Sequence, residues 1–147
     1  MPGERIIAID SGSALMPAVY ALRHEVFVLE QAVPPELEQD EYDLGATHLV
    51  ALRGDEVIGT LRIVASGETA KIGRVAVRAA ARRSGIGSRL MDRAAAIALD
   101  RGFQDIVLHA QLATVEFYRR LGYREQGDVF EEAGIPHLCM RKTLVTE

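Results

Sequence analysis

Apolar and polar residues alternate along several short segments of this chain, and alternation of this kind predicts β-strands. Gly54-Asp55 separates two of the segments, which is typical of a hairpin, and another turn is expected at residues 131–134. The predicted strands cover residues 5–10, 47–53, 56–65, 70–77, 104–110, 123–128 and 135–144.

Three other segments carry apolar residues three or four positions apart, which predicts amphipathic helices. The first covers residues 13–31, with Ser13 as a candidate N-cap, and it ends before Pro34-Pro35. The others cover residues 88–100, closed by Gly102, and residues 112–121, while residues 36–43 form a short acidic helix or a loop. Antiparallel strands followed by a strand–helix–strand crossover predict an α/β fold with a mixed, mostly antiparallel sheet.

Composition limits what kind of protein this is. A chain of 147 residues that is 48% hydrophobic is expected to form one domain, spanning residues 1–147. No apolar run reaches about 18 residues, and Met1–Arg5 lack the pattern of a signal peptide, so no membrane span or export is expected. The single cysteine, Cys139, excludes internal disulfides and fits a cytoplasmic protein as a buried, inert thiol. The four histidines are scattered, which predicts no metal site.

The net charge of −4 conceals a strong asymmetry. Residues 71–93 contain seven basic side chains and one acid, whereas residues 25–43 contain seven acids and no lysine or arginine. If both segments border one cleft, its basic side attracts a polyanion and its acidic side a cationic ligand. Nucleic-acid binding is not expected, because the basic segment has no interleaved aromatic residues and the whole chain is acidic.

The turn at residues 82–87, between a predicted strand and a predicted helix, points to an anion site. Free N–H groups and the positive end of the helix dipole meet there. Gly85 and Gly87 allow a phosphate to approach the backbone closely, and Arg82 and Arg83 add forked donors. The spacing matches neither the Walker pattern nor the dinucleotide fingerprint.

Several separated motifs together resemble the GNAT superfamily of acetyl-CoA-dependent N-acetyltransferases. They are Arg74-Val-Ala-Val77, Arg82-x-x-Gly-x-Gly87 before a helix, and Glu116-Phe-Tyr-Arg-Arg-Leu-Gly-Tyr123. Two further stretches, residues 25–31 and 129–137, are similar to the ElaA-like branch of small bacterial proteins. The resemblance covers about residues 15–144, and it implies an acyl-CoA N-acyltransferase fold.

The resemblance also implies how acetyl-CoA is bound, with no metal. The strand at residues 71–77 is expected to splay from its neighbour, so that the backbone of Val75 and Val77 holds the pantetheine arm. The following turn is expected to wrap the pyrophosphate. Many family members carry an Asn where this chain has Leu112, and Gln111 is the expected substitute. The implied cofactor-binding residues are Val75, Val77, Arg82, Arg83, Ser84, Gly85, Ile86, Gly87, Ser88 and Gln111.

Tyr118 matches the tyrosine that many GNAT enzymes place near the acetyl-CoA sulfur. The reaction needs such a donor, because a thiolate leaves when an amine attacks the thioester. It also needs a base for the ammonium form of the acceptor, and Glu30 and His137 are the preferred candidates because they lie in the branch-specific motifs. His109, Glu131 and Glu132 remain alternatives.

The acidic residues 25–43 are expected to line the acceptor side and to favour a cationic amine. A small amine, a polyamine, an amino sugar and a peptide N-terminus all stay open. Two other classes of function remain: a non-catalytic acyl-CoA-binding sensor or partner module, and a plain phosphate- or nucleotide-binding domain. Apolar edge strands near the C-terminus make a homodimer the preferred assembly.

Overall fold

The computed structural model describes residues 3–144, and its centre is one seven-stranded sheet. The strand order is β1-β2-β3-β4-β5-β7-β6. Within residues 3–144 the pairing is antiparallel except between β4 and β5, which are parallel. This confirms the predicted mixed sheet. The strands are β1 (Glu4–Ile9), β2 (Thr47–Arg53), β3 (Glu56–Ser66), β4 (Thr69–Val77), β5 (Asp105–Gln111), β6 (Arg124–Glu132) and β7 (Ile135–Thr143).

The first predicted helix is shorter and less regular than its sequence pattern indicated. Ser13 does not cap it: its hydroxyl accepts the Leu15 N–H (3.1 Å) before the helix begins, and the helix becomes π-helical at His24. The helices are α1 (Met16–Arg23), a π-helical segment (His24–Glu30), α2 (Pro35–Glu38), α3 (Ile86–Asp100) and α4 (Val115–Arg120), with 3₁₀ turns at Glu41–Asp43, Ala79–Ala81 and Leu112–Thr114. None of the helices within residues 3–144 is long and apolar enough to cross a membrane.

Helix α3 crosses from β4 to β5 and ends as the sequence predicted. Gly102 has a φ of +87°, its N–H donates to the Leu99 carbonyl (3.1 Å), and the Phe103 N–H donates to the Ala98 carbonyl (3.0 Å). These two hydrogen bonds to the last turn of the helix form a Schellman motif, which needs a residue that tolerates the left-handed conformation. The helix therefore stops where β5 must begin.

The two faces of the sheet are covered by different helices. Leu90 and Ile86 of α3 pack with Ile58 and Ile106 on one face, whereas Val19 and Leu22 of α1 pack on the other. Gly59 permits the close approach of α3, because a Cβ at this position would lie 3.0 Å from both Ile86 Cγ2 and Leu90 Cδ1. Burying these side chains drives folding, since each contributes about 1.5–3 kcal/mol when removed from water.

A bulge in β4 changes what its second half does. The β3–β4 register shifts between Thr60 and Arg62, and Arg74, within the bulge, has a φ of +55°. Before the bulge, Ile72 packs on the α3 side, and after it Ala76 packs on the α1 side. Because side chains alternate along a strand, the extra residue in the bulge moves the side chains that follow it to the opposite face of the sheet.

The same strand separates from β5. The parallel pairing covers only Thr69–Ile72 with Asp105–Leu108, so Gly73, Ala76 and Val77 pair with β3 but not with β5. The Arg78 N–H donates to the Ile58 carbonyl (2.8 Å), and Val77 lies opposite Gly59. Because neighbouring antiparallel pairs alternate in direction, the N–H and C=O of Val77 point away from β3, into the gap.

Ion pairs hold the chain between the π-helical segment and β2 against the bulge. Arg23 is 1% exposed, and it donates to Glu38 (2.8 Å) and to Asp43 (2.7 Å). Arg62 donates to Asp40 (2.6 Å) and to Asp43 (2.9 Å). Arg74 donates through Nε to the Glu38 carbonyl (2.9 Å). We call these six side chains the arginine–carboxylate network: Arg23, Glu38, Asp40, Asp43, Arg62 and Arg74.

Asp43 is the centre of this network. Burial alone would raise its pKa, but hydrogen bonds and charge from Arg23, together with a hydrogen bond from Arg62, outweigh burial and lower the pKa from 3.8 to about 2. The Asp43 carbonyl also contacts Nε2 of the buried His48 (3.0 Å). The carboxylate is therefore ionised at neutral pH and compensates two arginines at once.

Replacing Gly59 by Ala should lower the free energy of unfolding by about 1–3 kcal/mol, because the methyl group must displace α3 from the sheet. Gly45→Ala is the matched control, since a Cβ there meets nothing within 4 Å. Urea denaturation of both variants measures the difference. Equal stability of the two would mean that α3 does not depend on this close approach.

Replacing Asp43 by Asn should lower the free energy of unfolding at neutral pH by about 3–5 kcal/mol, because it leaves buried arginines uncompensated. Since the folded pKa of Asp43 (about 2) lies below its ordinary value of 3.8, its contribution is fully present above that ordinary value. It is lost as the pH falls through the folded value.

Urea denaturation of the wild type and of Asp43→Asn across that acidic range should therefore give curves that converge as the pH falls. Asp55→Asn, in the exposed turn between β2 and β3, is the control and should match the wild type. A difference between wild type and Asp43→Asn that did not depend on pH would contradict the assignment.

Candidate functional site

A cavity of about 730 Å³ opens where β4 and β5 separate, on the same face of the sheet as α1. Its floor and walls come from β4, β5, β6 and β7, from α4, and from the segment held by the arginine–carboxylate network. Val75, Gln111, Tyr118 and His137 are the predicted site residues that line it. The structure thus brings together residues that lie far apart in the sequence.

Tyr118 reaches the cavity from α4. Its side chain is 7% exposed and makes edge-to-face contacts with Phe117 (5.0 Å between ring centroids) and Tyr123 (6.0 Å). Burial raises the pKa of Tyr118 above its ordinary value, because the phenolate is poorly solvated in this setting. The hydroxyl therefore stays protonated at neutral pH and can act as a hydrogen-bond or proton donor.

His137 lies on the sheet wall of the cavity, on β7. Its Nδ1 is 2.6 Å from the Ile135 carbonyl oxygen, and its ring stacks on Phe130. A carbonyl oxygen only accepts, so Nδ1 carries the proton and the lone pair of the neutral imidazole lies on Nε2. His109 and Glu132, which were alternatives for the base, line the same cavity. Glu131 does not, because it pairs with Pro136 and so points to the opposite face of β6 from Glu132.

Glu30 lies outside the cavity. It forms a two-point ion pair with Arg82 (2.7 and 2.9 Å), and this hydrogen bonding lowers the pKa of Glu30. A carboxylate with a lowered pKa is a weaker base, so this geometry does not favour Glu30 as the acceptor of the amine proton. Arg82 is fixed at its other end as well, since its Nε donates to the Val77 carbonyl (2.8 Å).

The turn before α3 has the backbone of an anion site. Arg83 and Gly85 have φ values of +65° and +86°, and Gly85 is the residue before the first helical turn. Arg89 N–H donates to the Gly85 carbonyl (3.0 Å), so the amides of Ile86, Gly87 and Ser88 precede the first intrahelical bond.

Side chains in this turn mostly serve packing. Ile86 is 1% exposed in the core, so only its backbone faces the turn. The Ser84 hydroxyl donates to the Ala81 carbonyl. A Cβ at Gly87 would lie 3.3 Å from Phe117 Cζ, so this glycine also lets α3 approach α4. The glycine pattern therefore has a packing cause in addition to the one that the sequence suggested.

Gln111 lies at the end of β5, beside the gap. Its Nε2 donates to the Gln31 side-chain oxygen (2.8 Å), and both residues line the cavity. This contact joins the end of the π-helical segment to the separated strand. Gln31 was not singled out from the sequence, because its significance depends on a partner 80 residues away.

The acidic segment lines the cavity, as expected, through Glu38 and Asp40, but most of its charge is neutralised. Of the seven acids in residues 25–43, five are held by arginines. The pairs are Glu25 with Arg78, Glu30 with Arg82, Glu38 and Asp43 with Arg23, and Asp40 with Arg62. The acidic and basic segments do meet, as the sequence suggested, but they neutralise each other rather than presenting free charge.

Sequence reasoning missed the arginine–carboxylate network. Arg62 and Arg74 line the cavity, and Arg23 lies behind it. One indication was available: Arg62 lies within the apolar run of β3, and a charged residue in a buried strand needs partners.

The edge of the sheet near the C-terminus also differs from expectation. It is β6, whose residues are mostly polar and exposed, and its register with β7 shifts between Gln126 and Phe130. Polar side chains and irregular pairing discourage edge-to-edge association. The apolar edge that favoured a homodimer is therefore not present in residues 124–132.

Comparison with known proteins agrees with this geometry. Residues 10–144 match the family described as acetyltransferase (GNAT) domain. The chain is 37% identical over 124 residues to the uncharacterized N-acetyltransferase YjcF of Bacillus subtilis, covering 84% of this chain and 89% of that one. An acyl-CoA N-acyltransferase from Pseudomonas aeruginosa has the same fold, with a TM-score of 0.87, 32% identity, and coverage of 95% of this chain and 99% of that one.

ElaA of Escherichia coli is similar in both sequence and structure. The sequences are 31% identical over 133 residues, which is 87% of each chain. The crystal structure of ElaA matches with a TM-score of 0.86 and 28% identity over 95% of this chain and 99% of that one. The resemblance drawn from the motifs is confirmed, and the chain belongs to the GNAT family of N-acetyltransferases.

Proposed function

We propose that this enzyme transfers an acetyl group from acetyl-CoA directly to an amine that enters the cavity of about 730 Å³. The observation that carries the proposal is the separation of β4 from β5 after Ile72 and Leu108, beside Tyr118 and the start of α3. It leaves a strand edge that can pair with an extended chain, and an anion site at one end of it.

The residues present fit acetyl-CoA as co-substrate. Val75 lines the cavity and the N–H of Val77 faces the gap, so the backbone of both residues would pair with the pantetheine amides. The Val77 carbonyl already accepts from Arg82, so a cofactor bond to that oxygen would have to share it. The amides of residues 84–88 would hold the pyrophosphate, aided by Arg82 and Arg83. Gln111 would contact the arm where the two strands part.

Tyr118 is the proposed acid. The amine lone pair attacks the thioester carbonyl carbon, and the tetrahedral intermediate collapses by breaking its carbon–sulfur bond. The departing thiolate takes a proton from the Tyr118 hydroxyl. The resulting phenolate later regains a proton from solvent. Because burial raises the pKa of Tyr118, the phenol is fully protonated before each turnover.

His137 is the proposed base. Its Nδ1–H is fixed by the Ile135 carbonyl, which leaves the Nε2 lone pair free to take a proton from the acceptor. Both His137 and Tyr118 line the cavity, whereas Glu30 does not. We therefore assign no proton transfer to Glu30, and propose that it orients Arg82 in the cofactor turn.

Calorimetric titration with acetyl-CoA tests the cofactor site, with 3′,5′-ADP as the comparison. We expect micromolar binding of acetyl-CoA, clearly tighter than that of the nucleotide, because only acetyl-CoA carries the arm that pairs with β4. Equal binding of the two ligands would favour a plain nucleotide-binding domain. No binding of either ligand would remove the basis of the proposed reaction.

Replacing Tyr118 by Phe should lower kcat by about 10²–10⁴-fold while leaving acetyl-CoA affinity unchanged, because it removes the proton donor and keeps the packing. Tyr123→Phe is the matched control, since the buried Tyr123 hydroxyl lacks a hydrogen-bond partner within residues 3–144. Thiol release in the presence of a panel of primary amines measures the rates. Wild-type rates for Tyr118→Phe would exclude Tyr118 as the acid. If both proteins bind acetyl-CoA but neither releases thiol, the result would favour a non-catalytic acyl-CoA-binding module.

A further inference from the structure

The wall of the cavity opposite the arginine–carboxylate network carries three groups that can exchange protons. His137 on β7, Glu132 on β6 and His109 on β5 project from the same face of the sheet. The strand pairing establishes this, since Gln111 lies opposite His137, His109 opposite Cys139, and Glu132 opposite Ile135. Paired residues share a face, and so do residues two apart on a strand.

Glu132 lies between the two histidines. One of its carboxylate oxygens, Oε1, is 2.9 Å from His109 Nδ1. The other, Oε2, is 3.9 Å from His137 Nε2, the nitrogen whose lone pair is free. That spacing is too long for a direct hydrogen bond, but it allows a donor placed between the two atoms to reach both. An acceptor ammonium group is such a donor.

Exposure increases along the three groups. The side chain of His137 is 8% exposed, that of Glu132 46% and that of His109 48%. Phe130 packs against both imidazoles, with ring centroids 5.0 Å from His109 and 5.9 Å from His137, and so keeps the rings in place. The set runs from the interior of the cavity to solvent.

The proposed reaction requires such a path. An ammonium acceptor has three protons on nitrogen, and the amide product keeps one of them. A second reprotonates the thiolate in net terms, so each turnover releases one proton. A base inside the cavity must pass this proton on before the next turnover.

We infer that Glu132, held in place by His109, takes the acceptor proton from His137 and carries it out of the cavity. The inference rests on the proposed acetyl transfer. His137 Nε2 takes the proton from the amine, and the Glu132 carboxylate stabilises the resulting imidazolium. The proton then passes across one bridging water to Glu132 Oε2, and Glu132, which is 46% exposed, releases it to solvent. His109 is a positioning residue that acts through Glu132: because an ionised carboxylate only accepts, His109 Nδ1 carries a proton and donates it to Oε1, which holds the carboxylate in place.

Other titratable and charged groups also face Glu132 and the two histidines. Cys139 shares the face of the sheet with His109, and Tyr118 lines the cavity from α4. Arg62 and Arg74 lie on the opposite wall, where Asp40 and Glu38 hold them. Glu132 is therefore the carboxylate within 4 Å of these two histidines among residues 3–144.

The first test measures the coupling without any substrate. The four histidines are followed by NMR between about pH 5 and pH 9, with His109→Asn and His137→Asn used to assign the signals. Glu132→Gln should move the titrations of both His109 and His137 to lower pH, because the carboxylate no longer stabilises either imidazolium. Glu131→Gln is the matched control: it makes the same chemical change one residue away, on the other face of β6. A titration of either histidine that Glu132→Gln left unchanged would overturn the inference.

The second test measures the role in turnover, using acetyl-CoA and the primary amine that gives the fastest thiol release. His137→Asn should lower kcat/KM by about 100-fold or more. Glu132→Gln should shift the acidic limb of the pH profile to lower pH, and Glu131→Gln should not. His109→Asn should also lower kcat/KM, because the Glu132 carboxylate loses the N–H that holds it. Added imidazole should restore part of the rate of Glu132→Gln, because a small buffer can replace an exposed proton carrier.

A wild-type pH profile for Glu132→Gln, or full activity of His109→Asn, would overturn the inference. Thermal unfolding and calorimetric acetyl-CoA binding of each variant show that the fold and the cofactor site are intact. If the wild type binds acetyl-CoA but releases no thiol with any amine, the proposed acetyl transfer fails. The substrate-free titrations then still decide whether Glu132 couples the two histidines.

Discussion

The parting of β4 from β5 is the constraint on which the rest of this site depends. Pairing stops at Ile72 and Leu108 because the bulge around Arg74 turns β4 away from its parallel neighbour. A strand edge in the middle of a sheet is costly unless something pairs with it, since buried N–H and C=O groups need partners. The fold maintains such an edge beside the start of α3, where anions are stabilised. A long molecule with an anionic end and amide groups along its arm fits both features.

Buried ion pairs hold the segment that borders this gap in place. The arginine–carboxylate network ties the segment after the π-helix to the bulge, through Arg74 and the carbonyl of Glu38 on one side and Arg62 and Asp43 on the other. Buried ion pairs add little net stability compared with apolar packing, but breaking one is costly. Such a network therefore specifies one arrangement of the cavity wall and penalises others.

The two sides of the reaction lie in different surroundings. Tyr118 is desolvated on α4, which keeps its proton in place, whereas His109 and Glu132 are close to half exposed on the sheet wall. In the proposed reaction the acid stays protonated in its apolar setting, whereas the carboxylate that takes the proton from His137 benefits from contact with water. The neutralised charges elsewhere in the cavity leave acceptor choice to shape and hydrogen bonding rather than to a free acidic surface.

The sequence alone determined the order and kind of the elements, the crossover, the family, and the position of the glycine-containing turn before α3. These follow from local causes: apolar periodicity, glycines at turns, and motifs whose residues are neighbours in the chain. Only the tertiary structure decided that Glu30 holds Arg82, that the acids of residues 25–43 are neutralised, and that Glu132 stands between His109 and His137. Each of these depends on strand register or on partners 5 to 53 residues apart, such as Glu132 with His137 or Glu25 with Arg78. A one-residue change of register would turn such side chains to the opposite face, so no local pattern can reveal them.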